Sequence, residues 1–358
     1  MTEAPAPFVW APAAQRVVFA PGAIARLPEE LDLLGARRVL VMTTPGHRGL
    51  GERVAALIGA RAAGLHAEAR MHVPVALADA ACARVEQLGA DACLAAGGGS
   101  TIGLAKAVAL RTDLPILALP TTYAGSEMTL IWGLTEGGAK RTGRDPRVLP
   151  KVVVYDPELT LSLPPALAAV SGLNAVAHAV EALYAPDGNP IVALMAEEGV
   201  RALAEALPRI LNAPGDAAAL ASALYGAWLC GACLGQTTMG LHHKLCHALG
   251  GGFDLPHAET HAVILPHVAA FNAPATPEAM ARLARALGVQ DAARGLWELA
   301  DRLGAPRALT AIGMRMEDLD RAVALATASP YANPRPVTEV GVRALIAAAL
   351  EGRPPTAG

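Results

Sequence analysis

Aromatic residues are scarce in this chain of 358 residues, at 4%, and charged residues reach only 17%. With the hydrophobic share at 53%, most of it Ala and Leu, close-packed helices are expected over a broad sandwich of strands. The same apolar share excludes a disordered chain and allows a large core. There is no excess of basic residues: 29 Lys and Arg stand against 32 Asp and Glu, for a formal charge of −3. That excludes a nucleic-acid or polyanion surface. Lysine is the rarest cation, present only as Lys106, Lys140, Lys151 and Lys244.

Other signals are missing too. Met1 to Trp10 holds no basic segment followed by an apolar one, so no secretory signal is read there. Each Ala-rich run reads as interrupted by Arg, Asp, Glu or His, which leaves no span of about 18 uncharged apolar residues and no membrane partner. Five cysteines (Cys82, Cys93, Cys230, Cys233 and Cys246) are an odd, scattered set. They read as reduced thiols of a cytoplasmic enzyme. Cys230 and Cys233 form a C-x-x-C inside an Ala/Leu-rich run with no second pair nearby, which reads as small core residues one helical turn apart.

At about 150 residues per domain, the length suggests two, and the pattern changes near residue 160. Before it, short apolar runs at 38–43, 90–96, 114–120 and 151–156 alternate with helical stretches such as Ala55–Ala63. Strands separated by helices predict right-handed βαβ units and a mostly parallel sheet. From Pro164 onward the period is helical, over 166–184, 191–207, 217–234, 277–287, 291–303 and 340–351, with breaks expected at Pro186–Pro190, Pro214-Gly215, Gly250-Gly251-Gly252 and Pro334-Arg335-Pro336. The reading is an α/β domain over 1–160 and an all-α domain over 161–358, with a small-molecule site expected in a cleft between them. The stretch Phe8 to Gly22 is apolar enough to pair with a partner subunit.

Gly97-Gly98-Gly99-Ser100-Thr101 follows a predicted strand and opens a predicted helix. Glycines let a pyrophosphate approach the backbone, and the helix start offers free N–H groups; Ser100 or Thr101 is expected to cap it. Pro120-Thr121-Thr122-Tyr123-Ala124-Gly125-Ser126-Glu127 makes a second turn rich in small and hydroxyl residues. Gly97, Gly98, Gly99, Ser100, Thr101, Thr121, Thr122 and Ser126 are therefore candidates for a dinucleotide. Thr44 follows the first clear strand, where NAD-selective sites often carry an acid. Without one, both NADH and NADPH are expected to bind.

Four of the ten histidines fall between His242 and His257. Asn174 and His178 stand four apart on one predicted helix, as do His243 and His247 on another. An Asp at 174 would complete a carboxylate-plus-three-histidine metal site.

Together, Gly97-Gly98-Gly99-Ser100, Pro120-Thr121-Thr122, Asp156-Pro157-x-Leu159, Asn174-x-x-x-His178, His243-x-x-x-His247 and Leu255-Pro256-His257 resemble, in this order, the iron-containing alcohol dehydrogenase superfamily. The resemblance covers essentially the whole chain. It implies an α/β dinucleotide-binding domain plus an all-α C-terminal domain, the dehydroquinate synthase-like architecture. The superfamily's histidine ligands match His178, His243 and His257, its aspartate ligand matches Asn174, and the histidine matching His247 lies beside the nicotinamide.

Two departures, the Asn at 174 and a second turn one residue shorter than usual, resemble the maleylacetate reductase branch. So do Tyr123–Glu127, Lys140–Arg144, His242–His247 and Tyr331–Pro336. That resemblance implies reduction of a small dicarboxylate, maleylacetate, to 3-oxoadipate by NADH or NADPH, with no metal required, in a homodimer. His243 is then expected as the main acid and enolate partner, with His178 and His257 in support, His247 near the cofactor and Tyr123 donating to a carboxylate. Asn174, His242 and Lys244 are expected to bind substrate, with Arg141, Arg144 and Arg335 as further cations.

Three rivals remain. A metal-dependent alcohol or glycerol dehydrogenase would want an Asp at 174. A lyase of the dehydroquinate synthase kind needs its metal and a more basic pocket. A non-catalytic binding module fits the histidine set poorly.

Overall fold

The computed structural model describes residues 7–137 and 139–356. Met1–Ala6, part of the stretch read for a signal, lie outside them, as does the side chain of Lys140. The described residues form two compact units, Ala13–Leu163, and Pro164–Thr356 together with Pro7–Pro12.

In the first unit the chain runs through β1 (Arg16–Phe19), α1 (Leu27–Leu34), β2 (Val39–Met42), α2 (Arg48–Ile58), β3 (Ala62–His66), α3 (Val75–Leu88), β4 (Ala92–Gly97), α4 (Gly99–Thr112) and β5 (Ile116–Pro120). A hairpin of β6 (Ile131–Glu136) and β7 (Ala139–Arg144) follows, then β8 (Val152–Tyr155). Six strands pair in parallel in the order β1-β8-β5-β4-β2-β3. Period-2 alternation explains why their runs are apolar throughout. Val39 and Val41 pack on one layer with Leu27, Leu31 and Val54, while Leu40 and Met42 pack on the other with Ile102, Leu104 and Val108.

From β2 the chain goes outward to β3, then returns across β2 to β4. The order therefore reverses between β2 and β4, and in open α/β sheets ligands bind at the carboxyl ends of strands at such a point.

Local differences from the sequence reading have local causes. The helix expected over Ala55–Ala63 ends at Ile58, because Gly59 leaves the helical region at φ 58°, and Ala62–His66 pairs with β2 as a strand. Ser100 and Thr101 do not cap α4: its N-cap is Gly98, and both hydroxyl residues lie inside its first turn.

The second unit is helical: α5 (Pro165–Ala182), α6 (Pro190–Asn212), α7 (Ala217–Gln236), α8 (Leu241–Phe253), α9 (His257–Asn272), α10 (Pro277–Leu287), α11 (Ala292–Arg302), α12 (Leu319–Thr327) and α13 (Glu339–Glu351). Side-chain caps start several of these, including Asn189 on α6, Asp216 on α7 and Thr338 on α13. Each supplies an acceptor to first-turn N–H groups.

Two expectations need correction here. Gly250-Gly251-Gly252 is not a break but the last turns of α8, which ends at Asp254 in the left-handed region. Each helical glycine costs up to about 1 kcal/mol, offset by the burial of Leu249 and the packing of Phe253 on a core built from α8, α9, α12 and α13. The claim that every Ala-rich run is interrupted also fails: α7 has 20 residues without a charge, long and apolar enough to cross a membrane. Most of it is buried in the protein, however, with Cys230 and Cys233 among its core residues. It is a core helix.

Candidate active site

The carboxyl ends of β4 and β5 are neighbours, with Gly97 paired to Pro120, so the two small-residue turns emerge side by side. Gly97 has a φ of 155°, and a Cβ there would collide with Thr101 Oγ1. A Cβ on Gly98 would sit 2.8 Å from Thr122 Cγ2 and 2.9 Å from its Oγ1. The glycines thus let the two turns close on each other, and they leave the start of α4 without a side-chain cap. Uncapped N–H groups at a helix start suit a phosphate. Thr44, beyond β2, stands at the same reversal of the sheet, with its hydroxyl 2.9 Å from His47 Nδ1.

Lys106, on α4, is not a substrate cation. Its buried ammonium donates to Ser126 O at 2.6 Å and, each at 2.8 Å, to Thr129 O, Thr129 Oγ1 and Ile131 O. It clamps the second turn to the helix that follows the first. Burial pulls its pKa down to about 7, with the Glu127 carboxylate opposing. Tyr123 is fully buried, and burial pushes its hydroxyl up to about 12 against a hydrogen bond with Thr160.

In the helical unit, three helices bring imidazoles together. On α5, Asn174, His178 and Glu181 share a face at i, i+4 and i+7, and all three are buried. On α8, His243 and His247 share one face, His242 and Cys246 another. On α9, His257 and His261 are one turn apart. His178 Nδ1 lies 2.9 Å from His243 Nε2, and their rings stack with centroids 5.0 Å apart. His242 Nε2 lies 2.9 Å from His261 Nδ1. The rings of His247 and His257, both exposed, stack at 6.2 Å, and His257 sits 4.4 Å from the His261 ring.

Two members of this cluster were not singled out from sequence. Glu181 is fully buried, with Oε2 2.6 Å from His243 Nδ1. It also accepts from the backbone N–H groups of Gly240, His242 and His243 at 3.1, 2.8 and 3.3 Å. The available signal was its position three residues after His178, a lone charge in an apolar helix. His261, the other, has ring contacts with His178, His242, His243 and His257; its i+4 spacing from His257 was the signal.

Of the expected substrate residues, Asn174 is buried with Oδ1 lacking a protein partner, so its amide is open to a ligand. His242 is buried beneath the cluster, whereas Lys244 is exposed. Arg141 is exposed on the hairpin, 3.7 Å from Glu136, and Arg335 donates to Phe271 O at 2.9 Å. The buried trio His242, Cys246 and His261 brings its donor atoms within 4.8 Å of one another, as a metal site would; Asn174, His178, His243 and His257 are the set that the resemblance implies.

Burial pushes His242 and His261 well below the ordinary imidazole value, and neighbouring imidazoles push the same way. Burial also takes His267 down to about 4, aided by Arg353. These rings stay neutral in the fold but bind protons near pH 6.5 once unfolded. Their stabilisation is therefore complete above pH 6.5 and lost as pH falls through the folded values, roughly 3 kcal/mol for His267 alone. The melting temperature is expected to drop between pH 7.5 and 5.0, and less so in His267→Gln. Equal melting temperatures at both pH values would contradict neutral burial.

Family models match both units: iron-containing alcohol dehydrogenase over residues 14–157, and the C-terminal Fe-containing alcohol dehydrogenase family over residues 168–350. The chain is 57% identical to a maleylacetate reductase of Sphingobium indicum over 348 residues, 97% of this chain and 99% of the relative. It is 55% identical to one from Burkholderia cepacia, covering 95% and 97%. Among solved structures, maleylacetate reductase from Agrobacterium tumefaciens superposes with a TM-score of 0.95 at 52% identity, covering 98% of this chain and 100% of that one. A putative alcohol dehydrogenase from Ralstonia eutropha gives 0.96 at 57%, covering 98% and 99%. The chain belongs to the iron-containing alcohol dehydrogenase family, on its maleylacetate reductase branch.

Proposed function

We propose that this chain reduces the C=C bond of maleylacetate to give 3-oxoadipate, taking hydride from NADH or NADPH, and that its imidazoles replace a bound metal ion. Hydride from nicotinamide C4 adds to the alkene carbon β to the ketone. The π electrons move onto the ketone oxygen as an enolate, and the α-carbon then takes a proton. One NAD(P)H and one proton are consumed for each product.

The observation that carries the metal-free reading is a buried amide, Asn174, one helical turn before His178 on α5, in place of a carboxylate. The family name implies iron, but an amide and three neutral imidazoles give a dication no anionic donor to offset it. Glu181, the buried carboxylate of the cluster, is committed to three backbone N–H groups and to His243. His243 Nε2 already faces His178 Nδ1 at hydrogen-bond distance. This donor set does not fit resident iron. It suits an enolate, to which imidazole N–H groups would donate in a buried site, where such bonds are strong.

In this reading His243, His178 and His257 handle the enolate and the proton, and His247 serves the cofactor side of the reaction. Tyr123, a hydroxyl kept neutral by burial, is assigned with them, as the resemblance implies. His242 and Lys244 remain assigned to substrate binding, His242 from beneath the cluster. The cofactor is assigned to Thr44, Gly97, Gly98, Gly99, Ser100, Thr101, Thr121, Thr122 and Ser126. Exposed Phe8, Val9 and Trp10 support the proposed homodimer, and unpaired thiols at all five cysteines agree with a cytoplasmic setting. The domain division is proposed to follow function, with cofactor binding before residue 160 and substrate chemistry after it.

NADH oxidation at 340 nm with freshly hydrolysed dienelactone as the source of maleylacetate tests this reading. Turnover with maleylacetate and none with a panel of simple alcohols is expected, with KM values for NADH and NADPH within about tenfold because no carboxylate stands at Thr44. The reverse substrate pattern would favour a metal-dependent alcohol dehydrogenase.

A further inference from the structure

We infer that Glu181 is a positioning residue for the reduction: by holding Nδ1 of His243 together with the first N–H groups of α8, it fixes the orientation and tautomer of the His243 ring. Its kinetic consequence rests on the proposed function; its structural half does not.

A carboxylate with no exposed surface is costly unless it is fully hydrogen-bonded. Glu181 meets that requirement at the start of α8, which has no side-chain cap of its own. The carboxylate takes the place of a cap, accepting three backbone N–H groups where the helix dipole is positive. Its fourth contact, 2.6 Å to His243 Nδ1, does something different. An ionised carboxylate only accepts, so Nδ1 of His243 must carry a proton.

His243 Nε2 then meets His178 Nδ1 at 2.9 Å; with the proton of a neutral His243 on Nδ1, its Nε2 accepts from His178 Nδ1–H. Both nitrogens of His243 are thereby engaged. Exclusive service as a helix cap would require only the three backbone bonds.

The test has two arms. In wild-type protein labelled with ¹⁵N-histidine, NMR should report His243 protonated at Nδ1; a bare Nδ1 overturns the inference whatever the substrate proves to be. In the second arm, Glu181→Gln keeps the shape and removes the charge. It should lower kcat at least about tenfold with KM for NADH unchanged, while Glu181→Asp recovers part of the loss. Unchanged kcat per folded site in Glu181→Gln would also overturn it, since a cap alone lowers the melting temperature and leaves turnover intact. Should Glu181→Gln not fold, the wild-type spectrum decides. Should wild type not reduce maleylacetate, the functional reading fails while the tautomer result still stands.

Discussion

His243→Ala is expected to lower kcat by at least about 100-fold, the usual scale for removing a general acid or base. His243 joins the buried carboxylate of Glu181 to His178. In the proposed mechanism its loss removes the main acid and the donor to the nascent enolate. KM for NADH should change little, because the glycine and threonine turns assigned to the cofactor belong to the other unit. His243→Ala also strips one hydrogen bond from a buried carboxylate, so folding needs checking by circular dichroism. A folded variant with a near-normal rate would reject the imidazole mechanism.

Gly98→Ala is expected to raise KM for NADH by about 10- to 100-fold. The backbone of Gly98 is extended, with φ −84° and ψ −162°, so alanine meets no conformational strain there. The cost is purely steric: the new methyl falls within 3 Å of Thr122 Cγ2 and Oγ1. Overpacking of this kind costs about 1–3 kcal/mol, and each 1.4 kcal/mol is about tenfold in binding. Forcing the turns apart moves the N–H groups at the start of α4. Thr122→Ala removes the obstructing atoms, so adding Gly98→Ala in that background should raise KM far less than it does in wild type. An equal rise in both backgrounds would place the defect elsewhere.

The strands that ran straight into turn chemistry were legible in sequence. The apolar runs ending at Gly97 and Pro120 became β4 and β5, since a parallel sheet covered on both faces demands unbroken hydrophobic stretches. The strand Ala62–His66 was hidden because it follows α2 with only one 3-10 turn between, and its Ala and Gly residues carry little β preference. The β6–β7 hairpin escaped for a similar reason, as its second strand, AKRTGR, has no apolar face.

Within the site, histidine spacing revealed which rings share a helix face, but not which helices meet. The pairs His178–His243 and His242–His261 lie 65 and 19 residues apart, a tertiary fact no periodicity encodes. Glu181 was harder still. Its role depends on α8 beginning without a side-chain cap, which becomes visible only once α5 and α8 are packed. Lys106, one of only four lysines, has a structural part that its rarity did not reveal: four oxygens of its own chain surround it.

Metal analysis by ICP-MS on untagged protein, with activity measured before and after dialysis against EDTA, is the most direct test of a reduction run by imidazoles. The expected result is full maleylacetate-dependent NADH oxidation after dialysis, with less than stoichiometric metal. Cys246→Ser would identify any ion retained by the His242, Cys246 and His261 trio. One metal ion per chain, with activity abolished by EDTA and restored by adding that metal, would contradict the account.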